Sequence, residues 1–492
     1  MSDVPDGGQP SRLSELTLHS VRETKLPDYD RSATRIGIFH IGPGAFHRSH
    51  QASYVDALLH SDPRWAISAL SLRNTGVRDA LMPQDGLYTL TTLGTESQRR
   101  VIGAIREVLV ATQDRDAAFA RLAARDTRMV TLSVTEKGYC LDVQGVLDES
   151  HPDVVHDWQS PDSPRSIYGW SCEALRRRRA LGVPAFTLVS CDNLSDNGSI
   201  LRQALIAFAA HSDRDLAKWI EGEVAFPRTM VDSITPATDD VLRRQVADAT
   251  GITDAWPIQR EQFTQWVMED LPAVREADWR SVGVTLTADV SVYERAKLRL
   301  LNGAHTTIAY VGLLLGHATV TDAMNDKLLA RFVEKLMRED IAPNLGATGD
   351  LDIGPYIDSV LARFRNPGIR HFLSQIAWDG SKKIPVRLMS TIMQAMAARL
   401  PIQRLVLPIA AWMRFVARQA QAGTALVDPE AARLAEIGLA CRGDAEFDVG
   451  LFMEMDAVIP ASLAADSAFT GALKTAYRQL ATPQAALGLC TL

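Results

Sequence analysis

The chain has 492 residues, 46% of them hydrophobic and 23% charged, with a formal net charge of −7. That length admits two or three domains and a large core, and the balance is that of an ordinary globular protein. The acidic total argues against a polyanionic partner such as nucleic acid, and no apolar run approaches the roughly 20 residues of a membrane span.

The opening segment, MSDVPDGGQPSRLSEL, lacks the apolar core of a signal peptide. Residues 1–33 are polar and rich in Pro, Gly and Ser, and read as a poorly ordered lead-in. Next comes the apolar run Arg35-Ile-Gly-Ile-Phe-His-Ile41, then a glycine turn, then a helical pattern through Ala52, Val55 and Leu58. That is strand, turn, helix. Further strands are predicted at residues 65–72, 87–93, 129–134 and 185–190, several of them separated by helical segments, as in an open, mostly parallel α/β sheet. The basic run Arg176 to Arg179 reads as a solvated helix face. Strand character fades after Val282-Gly-Val-Thr-Leu286, and from about residue 291 the pattern is almost wholly helical. The boundary is placed at 286, giving domains 1–286 and 287–492. The five cysteines, Cys140, Cys172, Cys191, Cys441 and Cys490, have no CxxC spacing, which argues against a zinc site and a disulfide framework and for a reducing cytoplasm.

Chemistry concentrates in a few segments. In Gly42-Pro-Gly44-Ala-Phe46-His-Arg48, Gly42 permits a tight turn and Gly44 lets backbone approach a pyrophosphate at a helix start. His47 stands where a third fingerprint glycine would be, and Arg48 is either a structural charge or a phosphate contact. After the second strand comes Ser71-Leu-Arg73-Asn-Thr-Gly76, with no carboxylate for a ribose 2′-hydroxyl. Arg73 there suits a 2′-phosphate, so NAD and NADP both stay open.

The stretch from Tyr293 to Tyr310 is the most informative. At about 100° per residue from Lys297, Glu294 lies at about 60°, His305 at about 80° and Asn302 at about 140°, so the four share one side of an otherwise apolar helix. Burial lowers a lysine's pKa toward neutrality, which is the tuning a general base for alcohol oxidation needs. Asn193 and Asp232 follow predicted strands. By itself each is more often a turn former, although Asn193 and Asn302 have the amides an alkoxide site requires.

At these residues the chain resembles the long-chain polyol-specific, or mannitol, dehydrogenase family, from about residue 33 to 480. The likeness rests on Gly42-Pro-Gly-Ala-Phe-His-Arg-Ser-His50, Thr135-Glu-Lys-Gly-Tyr-Cys140, Ser190-Cys-Asp-Asn193, Phe226-Pro-Arg-Thr-Met-Val-Asp232, Gln265-Trp266, Lys297-x4-Asn302-Gly-x-His305 and Asp379-Gly-Ser-Lys-Lys383. It implies a Rossmann-like N-terminal domain and a mostly helical C-terminal domain, with the site in the cleft. It further implies a monomer, a small sugar acid or polyol as substrate, and NAD as cofactor, to which Arg73 and the missing acid add an expectation of some NADP use. The implied chemistry uses no metal. Lys297 matches the catalytic base, Asn193 and Asn302 the alkoxide-stabilising pair, and His305 the substrate-orienting histidine. Asp232 matches an acid that steers the proton relay, Glu294 a group that carries the proton to solvent, and Lys383 a substrate-binding lysine. The segment holding Arg370, His371 and Gln375, together with Arg387, looks closer to the fructuronate reductase branch, where D-mannonate and D-fructuronate are interconverted. The alternatives are a dehydrogenase of neutral polyols such as mannitol or arabinitol, and a dinucleotide-binding protein without catalysis.

Overall fold

The structure is a computed structural model that describes residues 11–94 and 96–491, and side chains only to residue 488. The first ten residues of the lead-in and the Cys490 thiol therefore lie outside the described residues. Two compact units divide the chain, the first ending at Ser291 and the second spanning Val292–Leu492.

Five strands of the first unit form one all-parallel sheet: Ile36–Ile41 (β1), Ala66–Ser71 (β2), Ile105–Val110 (β5), Met129–Leu132 (β6) and Thr187–Ser190 (β7), in the order β5-β2-β1-β6-β7. The four strands β2, β1, β6 and β7 are nearly continuous buried runs, as strands covered on both faces are, whereas the edge strand β5 carries the partly buried Arg106 and Glu107. Alternation sends Ile38 to the face covered by Val55 and Leu58, while Phe39 and Ile41 pack with Phe119, Trp170 and Leu205 on the other. Two three-stranded sheets complete the unit. In one, Tyr88–Leu93 (β3) lies between Gln98–Ile102 (β4) and Ile258–Glu261 (β9); in the other, Gln265–Glu269 (β10) lies between Thr229–Asp232 (β8) and Thr285–Thr287 (β11).

Residues 87–93 do form a strand, but β3 pairs with β4 and β9, not with the parallel sheet. The described part of the lead-in, residues 11–33, is ordered. Leu13 is fully buried with Leu87, Val101 and Ile252, and Leu18, Val21 and Leu26 pack on them. The buried Arg31 guanidinium donates to the carbonyls of Gly103 and Asp85 and pairs with Glu15. Four spaced apolar residues thus anchor a segment whose composition looks disordered. The basic run is also not one solvated face. Arg178 is buried and donates to the carbonyls of Pro184, Leu122 and Ala124, while Arg176 and Arg177 pair with the buried Glu173.

The second unit is helical, with no strand among the described residues. Its centre is the helix Gly303–Leu315, apolar on nearly all sides and packed against Gln403–Gln421. A helix apolar all round is a buried one. No helix of the described residues is long and apolar enough to cross a membrane.

In the third fingerprint position, glycine would serve close helix–strand packing. Here the His47 ring lies flat on the ring of His40 from β1, 3.3 Å between centroids and 12° from parallel, so a thin stacked pair fills the gap. Burial lowers the His40 pKa to about 3 and holds His47 well below the ordinary value. Both rings are neutral when folded but take protons when unfolded. Their contribution to stability is complete above the unfolded-state pKa of about 6.5 and is lost as pH falls below it, at up to about 1.4 kcal/mol per pH unit for each ring. Denaturant unfolding at pH 7 and 5.5 is expected to show lower stability at 5.5. His40→Asn should flatten that slope by about one proton. An unchanged slope would show that His40 is not held neutral.

Candidate active site

In the parallel sheet the chain reverses its winding between β1 and β6, and ligands of open α/β sheets bind outside the carboxyl ends of strands at such a switch point. The glycine turn follows β1 there. Gly42 has φ +96°, and a Cβ on it would lie 2.3 Å from the Ser133 carbonyl oxygen, so only glycine fits. The Gly42 carbonyl is turned inward, accepting from the Gly44 amide at 2.7 Å, the Ser133 hydroxyl at 2.7 Å and His40 Nε2 at 3.1 Å. On Gly44, by contrast, an added Cβ would meet nothing nearer than 3.9 Å. Nothing in the protein itself forbids a side chain at Gly44, and the open space suits close approach of a dinucleotide. These residues fit the cofactor.

The other cofactor candidates divide. Phe46 is half-buried, stacked on His50 at 4.9 Å, and Arg73 is exposed just after β2. Arg48 is corrected. It is buried, donates to the Trp256 carbonyl at 3.0 Å and lies over the Trp256 ring, so its charge is committed to the interior and not to a phosphate. A short helix, Ala45–Ser49, turns its side chain inward.

Asn193 follows β7 and is exposed, whereas Asp232 is buried at the end of β8. The chain beyond Asp232 is tied down on three sides. The Ile234 amide donates to the buried Glu261, the Ser233 hydroxyl to the Phe263 carbonyl, and Thr235 meets Ser49 at 2.7 Å. Sequence reasoning missed Glu261; its one signal was an acid closing a short strand.

In the helical unit, the residues Lys297–Asn302 form a π-helical segment between Ser291–Ala296 and Gly303–Leu315. The Gly303 amide reaches back to the Leu298 carbonyl, five residues away. This corrects the α-helical wheel. An i→i+5 repeat sets Asn302 over Lys297, where an α-helix would displace it by about 140°. His305, three α-helical residues further, returns to within about 60° of Asn302. The wider turn therefore sharpens the alignment of the three. Lys297 and Asn302 are half-buried. Arg299, between them, is anchored by the Asn344 carbonyl at 2.8 Å and Gln394 Oε1 at 2.5 Å.

Around His305 the second unit gathers cations. Its ring stacks on Phe364 at 5.5 Å and meets the His371 ring edge-on at 4.7 Å. Burial, then the neighbouring charges of His371, Arg387, Arg363 and Lys383, hold its pKa well below the ordinary value. Arg387 donates to Thr306 Oγ1 at 2.9 Å and to the Asn302 carbonyl at 3.4 Å. Lys383 donates to the Ile376 carbonyl at 3.1 Å, and burial, then Arg387, lowers its pKa. The His371 pKa is lowered by burial, then by Lys383. Arg370 and Gln375 are exposed, Arg370 lying over the Phe372 ring at 5.2 Å. The structure thus brings together His305, His371, Lys383 and Arg387, while Arg370 and Gln375 are exposed. Phe364 and Arg363 were missed, since nothing in their own helix marks them. Among the described residues, no group of three or more His, Cys, Asp or Glu could hold a metal ion.

A glycine turn at the switch point of this sheet is the architecture of a Rossmann-type dinucleotide-binding domain. Residues 36–281 match the mannitol dehydrogenase Rossmann domain and residues 289–481 the mannitol dehydrogenase C-terminal domain. The chain belongs to the mannitol dehydrogenase family. It is 37% identical over 463 residues to D-mannonate oxidoreductase of Escherichia coli strain K12, covering 92% of this chain and 95% of that protein. It is 35% identical over 480 residues to mannitol 2-dehydrogenase of Phaeosphaeria nodorum, covering 95% and 83%. Among solved structures, the Pseudomonas fluorescens mannitol 2-dehydrogenase, in ternary complex with NAD and D-mannitol, is 36% identical and superposes with a TM-score of 0.79, with 98% of both chains covered.

Proposed function

We propose that the protein interconverts D-mannonate and D-fructuronate with NAD(H), Lys297 acting as the general acid and base. The observation that carries the sugar-acid reading is the cluster around His305. Lys383 and Arg387 give their hydrogen bonds to neutral acceptors, while His371, whose ring meets that of His305, is held toward its neutral form by burial and by Lys383. A uronate differs from a polyol by one terminal carboxylate, which wants such cationic donors.

NAD is the cofactor; when bound it supplies the hydride acceptor in oxidation and the donor in reduction. Gly42 and Gly44 make room for its pyrophosphate, and exposed Arg73, with no acid nearby in sequence, tolerates NADP as well. In oxidation, Lys297 takes the hydroxyl proton of the substrate, and Glu294, one turn earlier, passes it toward solvent. Asn193 and Asn302 donate hydrogen bonds to the alkoxide oxygen, the kind of preset donors that stabilise developing charge. His305, held neutral, accepts a hydrogen bond from a substrate hydroxyl, and Asp232 steers the relay.

A second reading, oxidation of a neutral polyol such as mannitol or arabinitol, is supported by the comparable identity to mannitol 2-dehydrogenases. Initial rates with D-mannonate, D-mannitol and D-arabinitol, each with NAD and with NADP, separate the two. Mannonate with NAD is expected to be fastest, with measurable NADP turnover. Faster oxidation of either polyol would favour the second reading, and no turnover of any substrate would reject both.

A further inference from the structure

Thr135 lies just past the carboxyl end of β6, beside the glycine turn, with φ 67° and ψ 162°. That region of backbone space is essentially restricted to glycine, and a β-branched residue in it is a genuine outlier. Such a conformation persists only where its surroundings over-determine it. Here they do. One carboxylate oxygen of Asp192 accepts the Thr135 amide at 2.9 Å, and the other accepts the Val134 amide at 3.0 Å. The same carboxylate takes the Tyr139 hydroxyl at 2.9 Å, which is also 2.5 Å from Ser190 Oγ. The segment is pinned from its other side as well. The Ser133 amide donates to Ile41 of β1, and the Ser133 carbonyl lies against Gly42. Gly138 leaves room for Val134, whose Cγ2 would stand 2.8 Å from a Cβ there.

We propose that Asp192 is a positioning residue for the dinucleotide site, clamping residues 134–135 in a strained shape that forms one wall of the crevice between β1 and β6. The inference rests on the reading that NAD binds at this switch point. Asp192 touches neither reacting atom. It sets the backbone facing the cofactor and, through its own main chain, the start of Asn193. Without the carboxylate, Thr135 relaxes to negative φ and the wall moves.

The test uses the strain itself. Asp192→Ala is expected to keep its melting temperature within a few degrees, lose amide-exchange protection at Val134 and Thr135, and bind NADH about ten- to a hundredfold more weakly by fluorescence titration. Adding Thr135→Gly, which removes the penalty for positive φ, should restore most of the NADH affinity. Adding Thr135→Ala should not. NADH affinity unchanged in Asp192→Ala, or equal recovery with Gly and Ala, would overturn the clamp. Wild-type protein that bound no NADH would instead overturn the cofactor reading and the clamp's role in it, while the exchange pattern, read without ligand, would still show whether Asp192 holds the segment.

Discussion

Lys297→Ala is expected to lower turnover at least about a hundredfold, the usual scale of general acid–base catalysis, while leaving NADH binding nearly intact. The division follows from where the residues lie. The glycine turn belongs to the unit ending at Ser291, and Lys297 to the next. The π-helical segment adds a second expectation. Because the i→i+5 repeat sets Asn302 over Lys297, Asn302→Ala should also lower kcat, with the KM for the sugar changing less. The two losses should combine less than additively, since both groups act on one oxygen. Stopped-flow reduction of NAD measures the effect on chemistry directly. Near-normal turnover in Lys297→Ala would remove the lysine from the mechanism.

The second large effect concerns the carboxylate. Loss of one charged hydrogen bond costs about 1.5–3 kcal/mol, roughly ten- to a hundredfold in kcat/KM. Lys383→Met should therefore reduce kcat/KM for fructuronate by that factor and for fructose much less. Arg387→Met should behave in the same sense but with some loss for both substrates, because its guanidinium also holds Thr306 and the Asn302 carbonyl. Equal losses for the two substrates in Lys383→Met would mean that the lysine binds hydroxyls and not the carboxylate.

How much of this was legible in the sequence differs by element. The strand, turn and helix around Gly42 were readable because apolar period and glycine placement are local signals. The order of the sheet was not, since β3 looks like its neighbours in composition yet pairs with β4 and β9 elsewhere. The lead-in misled because a few spaced leucines, and not overall composition, decide whether a segment docks. Lys297, Asn302 and His305 were recognisable as a set, but their alignment depends on a π-turn that no residue preference announces. Arg48 shows the opposite failure. A basic residue at a helix start suggested a phosphate, while Trp256, distant in sequence, draws it into the core. Asp192 and Thr135 stood in recognised motifs, but only backbone geometry reveals that one holds the other under strain.

The most direct test of the central reading is a paired measurement of kcat/KM for D-fructuronate and D-fructose with NADH, on purified protein in the presence of EDTA. The expected result is undiminished activity with the chelator and at least a tenfold preference, on the order of one charged hydrogen bond, for fructuronate. A preference for fructose would contradict the sugar-acid assignment. Activity lost to EDTA and restored by zinc would contradict the lysine mechanism.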